Sequence, residues 1–251
     1  MPNQFCWYEL ITSDADAAKT FYGAVAGWTF TDSGLPGMDY SIIHANGVPL
    51  GGVMSLKDGP PPGWFGYVAV DDVDAFADKV KAAGGRIDHS PSDIPQVGRF
   101  AMVADPQGAS FVLFKGVPGT DMALPPFMSP GSISWHELHT SDWEAGFDFY
   151  AGLFGWTKDT PVDMGPMGTY QLFAAGGDAI GGMFSIASEK PHWLYYIGCD
   201  DIDAAEARVK AAGGTVPEGP MEVPGGAWVI PAIDPQGALF AMVGMRPNPP
   251  A

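Results

Sequence analysis

Side chains from residue 5 to residue 12 alternate between two faces that are both largely apolar. Phe5, Trp7, Glu9 and Ile11 fall on one face of an extended chain, and Cys6, Tyr8 and Leu10 on the other. Apolar groups on both faces predict a strand covered, wholly or in part, on both sides. The period then changes. Ala18, Phe21, Tyr22 and Val25 recur at helical spacing and Gly27 supplies a stop, while Ser13 with Asp16 reads as a capping-box-like start. The second half repeats the pattern. Trp135-His136-Glu137-Leu138-His139-Thr140-Ser141-Asp142 copies Trp7-Tyr8-Glu9-Leu10-Ile11-Thr12-Ser13-Asp14. Ser141 with Glu144 then opens a helix marked by Phe147, Tyr150 and Phe154 and stopped at Gly155. A supersecondary unit has been duplicated in tandem, which divides the chain into two modules of about 120 residues each.

Each module continues the same way. A Gly/Pro-interrupted loop (33–39; 161–169) leads to a strand beginning at Tyr40 or Tyr170, and then to a strand (48–56; 179–186) containing Gly51-Gly52 or Gly181-Gly182. A glycine pair inside a strand predicts a bulge or a close approach to the backbone, by a neighbour or by a ligand. Lys57 to Gly63, with Pro60, Pro61 and Pro62, predicts a turn-rich loop. Strands over 64–70 and 193–199 end in Asp-Asp-Val-Asp and Asp-Asp-Ile-Asp, whose acids cap a second helix. That helix runs to Ala-Ala-Gly-Gly at 82–85 and 211–214, with glycine at its C-terminal cap. A final pair of strands flanks Asp105-Pro106-Gln107-Gly108 and Asp234-Pro235-Gln236-Gly237, which predict tight hairpin turns. Each module reads βαβββ twice over, or βαβββ with a further helix after its third strand. Pro118, Pro125, Pro126 and Pro130 mark an aperiodic connection, giving a first module over 1–117, a linker over 118–131 and a second module over 132–251. Such a linker lets the modules pack as a pseudo-dimer within one chain, monomeric in solution.

Charge narrows the partners. Twenty-nine acidic against 12 basic side chains give a net charge of -17, a field that repels phosphate backbones and anionic headgroups and excludes nucleic acid as a partner class. Hydrophobic residues make up 46%, yet no apolar run approaches the roughly 20 residues that span a bilayer, so no membrane segment is expected. The N-terminus lacks a basic stretch followed by an apolar one, and a cytoplasmic location is expected. Cys6 and Cys199 sit at non-equivalent, apolar positions, which suits buried thiols rather than a disulfide framework.

The strand, the Phe-Tyr helix, Gly-Trp, the Gly-Gly strand, the Ala-Ala-Gly-Gly helix end and the Asp-Pro-Gln-Gly turn, in that order and twice, resemble the vicinal oxygen chelate superfamily. That superfamily includes glyoxalase I, bleomycin and fosfomycin resistance proteins and extradiol dioxygenases. The resemblance covers nearly the whole chain and implies an α+β fold of two tandem βαβββ modules forming a cupped mixed sheet pair. It also implies a divalent metal held by His, Glu or Gln on the first strand, the strand entering the second helix and the last strand. Carried over one at a time, those positions land on Trp7 and Trp135, Phe65 and Leu194, and Val112 and Ala241, with a further one near Val53 or Met54 and near Met183 or Phe184. None offers an oxygen or imidazole donor, so neither a metal nor any other cofactor is expected. The resemblance then implies a protein with degenerate metal positions that binds a small apolar or aromatic molecule between or within modules. The alternative is a glyoxalase-like lyase or isomerase, or a ring-modifying oxygenase-type enzyme, using unconventional residues.

The remaining candidates follow from strand parity. His136-Glu137-Leu138-His139 looks like the start of a zincin motif, but zincin histidines lie four apart on a helix, whereas these lie three apart on a strand and point to opposite faces. Glu9 and Glu137 share the parity of Trp7 and Trp135, and His139 shares that of Glu137. Buried carboxylates of this kind either accept structural hydrogen bonds or anchor a ligand, and a Glu137–His139 pair on one face is a plausible acid–base couple. Phe65 and Tyr67, and His192, Leu194 and Tyr196, share a further inward parity, so that with Trp7 and Trp135 they line an aromatic cavity or pack against one another.

Overall fold

The computed structural model describes residues 3–35, 37–56, 61–119, 123–186 and 190–247. Residues 57–60 of the proline-rich loop and 120–122 of the linker lie outside the described residues. The βαβββ order occurs four times. The first repeat supplies β1 (Phe5–Thr12), α1 (Ala15–Ala26), β2 (Thr29–Asp32), β3 (Tyr40–Ala45) and β4 (Val48–Ser55). It then supplies β5 (Gly63–Ala69), α2 (Val73–Ala82), β6 (Arg86–Ile94), β7 (Gly98–Ala104) and β8 (Ser110–Gly116). The second repeat gives β9 (Ile133–Thr140), α3 (Trp143–Phe154), β10 (Thr157–Asp163), β11 (Thr169–Ala174) and β12 (Ala179–Ser185). It closes with β13 (His192–Cys199), α4 (Ile202–Ala211), β14 (Met221–Glu222), β15 (Trp228–Ile233) and β16 (Leu239–Gly244). Strands run in the order β2-β3-β4-β1-β5-β8-β7-β6 in one mixed sheet and β10-β11-β12-β9-β13-β16-β15-β14 in the other. Within each, the first strand of a βαβββ pairs in parallel with the last, as Glu9 with Gly52 and Glu137 with Gly182.

Three strands that the sequence does not mark, β2, β6 and β14, and β10, whose end it reads as loop, are the four edges of these sheets. An edge strand is solvated and needs no continuous ladder, so it loses the alternation that marks a strand and tolerates Pro91 and Pro161.

Two local expectations are corrected. The cap of α1 is Asp14 and that of α3 is Asp142, not Ser13 and Ser141. Asp14 accepts from the amide of Ala17, and Asp142 from those of Glu144 and Ala145. The carboxylate adds charge to the positive end of the helix, which a hydroxyl cannot. The expected bulge lies just before each glycine pair rather than at it: Gly51, Gly52, Gly181 and Gly182 stay in register with β1 and β9, while Leu50 and Ile180 are the residues left over against β3 and β11. The ladder passes from Ile43–Gly51 to His44–Pro49 in one repeat and from Phe173–Gly181 to Ala174–Ala179 in the other.

The chain folds into two compact units that each draw on both sequence repeats. One comprises Met1–Cys6, Phe65–Asp121 and His136–Leu194, and the other Trp7–Trp64, Met122–Trp135 and Tyr195–Ala251. In the first, the Trp193 indole donates to the Tyr150 hydroxyl at 3.0 Å, which donates to Asp105 at 3.1 Å. In the second, Trp64 donates to Tyr22 at 2.9 Å and Tyr22 to Asp234 at 3.2 Å. Each aspartate also closes its Asp-Pro-Gln-Gly turn, Asp105 by accepting from the amides of Gln107, Gly108 and Ala109. Burial pushes the carboxyls of Asp105 and Asp234 above their ordinary range despite these donors, and holds Tyr22 protonated. Aromatic rings surround both chains of hydrogen bonds, with Phe111 on Tyr150 and Phe240 on Tyr22.

Candidate functional site

In the first unit, alternation along β9 puts Glu137 and His139 on one face and His136 on the other. The His136 ring stacks on Phe5 at 4.2 Å and its Nδ1 donates to the carbonyl of Ile180. Burial lowers its pKa to about 4, so it is a neutral core residue. Glu137 is 8% exposed. Its Oε1 accepts from His139 Nε2 at 2.7 Å and its Oε2 from the Tyr170 hydroxyl, also at 2.7 Å. An ionised carboxylate can only accept, so Nε2 of His139 carries a hydrogen. The His139 ring packs against Phe184 at 4.7 Å, its register partner on β12, and against His192 at 4.5 Å. His192 is fixed in turn by donation from Nδ1 to the carbonyl of Lys190 at 2.9 Å. Chemically, this is a buried carboxylate that orients an imidazole, with a second imidazole alongside and two aromatic rings as walls.

The second unit contains the first-repeat copy. Trp7 Nε1 donates to the Tyr40 hydroxyl at 3.0 Å, and Tyr40 bonds to Glu9, which is 9% exposed. Burial and then the nearby Glu9 charge push the Tyr40 phenol well above its ordinary value, holding it protonated as a donor. Here Ile11 stands where the other copy has His139, and Gly63 where it has His192. The carboxylate and its tyrosine are duplicated; the imidazoles are not.

The other candidates are placed as follows. Phe65 and Tyr67 lie on β5 in the first unit, Tyr67 opposite Val112 and edge-on to Phe114, and Leu194 is buried in that unit. Trp135 and Tyr196 belong to the second unit, where Tyr196 pairs with Ala241. Of the positions at which the resemblance implies metal ligands, Met54 and Phe184 share the face of Ile11 and His139, while Val53 and Met183 are buried on the reverse. The side chains at these positions are indole, phenyl, aliphatic or thioether, a donor set that does not fit a hard divalent ion. Among the described residues no group of three or more His, Cys, Asp and Glu side chains could hold a metal.

Two surface cavities of about 330 Å³ lie elsewhere, one at the end of α1 beside Asp200, Asp201 and Arg208, the other beside Arg99 and Lys115. Sequence reasoning missed Tyr40 and Tyr170 as members of the clusters, noting them only as strand starts. Their signal was present: each lies 12 positions before the second glycine of its pair, Gly52 or Gly182.

A family model described as Glyoxalase/Bleomycin resistance protein/Dioxygenase superfamily matches residues 4–113 and 132–242. CFP32 of Mycobacterium tuberculosis, which carries a provisional glyoxylase designation, is 33% identical over 250 residues, covering 96% of this chain and 95% of that protein. The anthracycline biosynthesis protein DnrV of Streptomyces peucetius is 31% identical, covering 100% of this chain and 96% of its own. Among solved structures, the Mn(II)-bound glyoxalase from Novosphingobium aromaticivorans superposes with a TM-score of 0.69 at 19% identity, over 97% of this chain and 82% of that one. The 2,3-dioxygenase LapB from Pseudomonas sp. KL28 gives 0.67 at 13% identity, over 98% and 94%. At these identities the structural likenesses speak for the fold alone.

Proposed function

Because the chain belongs to the Glyoxalase/Bleomycin resistance protein/Dioxygenase superfamily, yet pairs the buried carboxylate of Glu137 with the half-buried imidazole of His139, we propose that it binds a small, largely apolar or aromatic molecule and acts on it by proton transfer, with no metal at the superfamily's usual positions. One observation carries this reading: the carboxylate of Glu137 is gripped at both oxygens, at 2.7 Å by His139 and at 2.7 Å by Tyr170. Structural packing needs no imidazole at that position, since the copy in the first repeat holds its Glu9–Tyr40 pair with Ile11 there. In the proposed step, Nδ1 of His139 takes a proton from an acidic C–H or O–H of the bound molecule. Glu137, held still by Tyr170, stabilises the imidazolium that forms, a contribution of roughly 10² to 10⁴ in rate for such a base. The relatives named for glyoxylase activity and for anthracycline biosynthesis support small-molecule chemistry as the class. A second reading, binding without chemistry, is favoured by the first repeat, whose cradle holds Glu9 and Tyr40 but no imidazole.

Glu137→Gln tests the proposal, with Glu9→Gln as the pseudo-symmetric control. A metabolite library screened by thermal shift supplies the ligand, since one present at 100 times its Kd stabilises by about 2.7 kcal/mol. The expected result is that Glu137→Gln lowers turnover or binding of that ligand at least tenfold with the melting temperature held level. If the substitution is destabilising by about 1.5 to 3 kcal/mol, as loss of a charge-assisted structural bond would be, and ligand affinity is intact, Glu137 belongs to the scaffold instead.

A further inference from the structure

We infer that Gly182 is a positioning residue of the Glu137–His139 site, there to let the Tyr170 ring lie flat on the sheet so that its hydroxyl reaches Glu137. The inference rests on the site assignment above. The two glycines of each pair face different constraints. A Cβ at Gly181 would overlap the carbonyl oxygen of His136 on the paired strand, and one at Gly51 would overlap that of Tyr8. First-position glycine is therefore demanded by the backbone ladder. At Gly182 the three atoms nearest to an added Cβ all belong to the Tyr170 side chain, with Cε1 and Cζ overlapping it and the hydroxyl oxygen within 2.6 Å. At Gly52 the same holds for Tyr40, with Cε1 at 2.7 Å and Cζ and the hydroxyl closer still. Neither Gly52 nor Gly182 has the positive φ that would call for glycine on conformational grounds.

What the missing side chain provides is a shelf. Each tyrosine crosses it to meet the carboxylate in register with that glycine, since Gly182 pairs with Glu137 and Gly52 with Glu9. The same arrangement occurs in both units, with Tyr40 bonded to Glu9 in one and Tyr170 to Glu137 in the other. In the second repeat the consequence passes to His139. Donation from Tyr170 draws charge toward Oε2 and so moderates the pull of Oε1 on the imidazole proton. Displacing Tyr170 removes that donation, and the carboxylate then favours the charged imidazole more strongly. The His139 pKa rises.

The test is NMR titration of His139 in the wild type and in Gly182→Ala, Tyr170→Phe and the double variant, with no ligand present. Gly182→Ala and Tyr170→Phe should each raise the His139 midpoint by a similar amount, and the double variant by no more than either. Thermal melting provides the second measurement: Gly181→Ala should lose stability heavily, while any loss in Gly182→Ala should be recovered when Tyr170→Ala makes room. The inference is overturned if Gly182→Ala leaves the His139 titration where it is in the wild type while Tyr170→Phe moves it. It is equally overturned if the melting loss of Gly182→Ala persists after Tyr170→Ala. Because these readouts need no substrate, failure of the proposed reaction would leave them standing, and their failure would leave a reaction at His139 untouched.

Discussion

At the residue scale, the two histidines of the His136-Glu137-Leu138-His139 stretch show how strand parity decides chemistry. Odd positions of β9 meet the polar cluster and even ones the core, so His139 is paired with a carboxylate while His136 is stacked and neutral. This much was legible from alternation. Tyr170 was missed, because a tyrosine taken alone at the start of a strand gives no sign of whether it will lie across the sheet; the sign is the glycine 12 positions later on which it rests. His136 gives a prediction with a definite sign. Its pKa falls from an ordinary 6.5 to about 4 on folding, so its contribution is present above 6.5 and is lost as pH falls toward about 4. Asp105 and Asp234, raised by burial, act the other way just above the ordinary carboxylate value of 3.8, where the folded state holds the proton more tightly. Between pH 7 and pH 5 the histidine dominates. Urea denaturation of the wild type should lose about 2 kcal/mol more over that interval than His136→Phe does, at about 1.4 kcal/mol per pH unit. Equal slopes for the two proteins would mean that His136 is not the group responsible.

At the element scale, what the sequence shows best is what packing demands, and what it hides is what solvent permits. The covered strands β1, β5, β9 and β13 and all four helices were readable from periodicity, whereas the edge strands β2, β6, β10 and β14 were not. Helix ends were readable to within a residue. The Ala-Ala-Gly-Gly ends of α2 and α4 place glycine one position past the cap, at Gly84 with φ +86° and Gly213 with φ +91°. Gly84 donates to the carbonyl of Lys81 and Gly85 to that of Val80, and Gly213 and Gly214 do the same with Lys210 and Val209. These two bonds satisfy the orphan carbonyls of the last turn, and the first glycine of each pair alone adopts the left-handed conformation they require. Gly213→Ala should therefore be destabilising by about 1 to 2 kcal/mol, the cost of a left-handed conformation for a residue with a Cβ. Gly213→Asn should cost less, since asparagine visits that region more readily. Chemical denaturation ranks the two, and an alanine variant as stable as the wild type would show that this helix end does not depend on the motif.

At the scale of the whole molecule, duplication and folding do not share boundaries. The sequence repeats along the chain, but each compact unit closes its core with groups from both copies: Tyr22 of the first repeat meets Asp234 of the second, and Tyr150 of the second meets Asp105 of the first. No local pattern reveals this, because the Trp, Tyr and Asp of each hydrogen-bonded chain occur in every copy, and a sequence cannot say which copy's tyrosine meets which copy's turn. The arrangement has a physical consequence. A fragment of residues 1–117 keeps Tyr22 and Trp64 but loses Asp234 and Phe240, and a fragment of 132–251 keeps Tyr150 and Trp193 but loses Asp105 and Phe111. Each would then expose an aromatic face and a buried donor without its acceptor, at about 1 to 3 kcal/mol for the unmet polar group alone. Each fragment alone is expected to be unfolded or to pair with a second copy of itself through the same face. Mixing the two should restore a one-to-one complex with the near-ultraviolet circular dichroism of the intact chain. Analytical ultracentrifugation and thermal melting check this together. A monomeric 1–117 fragment with a cooperative melt near that of the full chain would show that the bonds between repeats add nothing the repeat cannot supply itself.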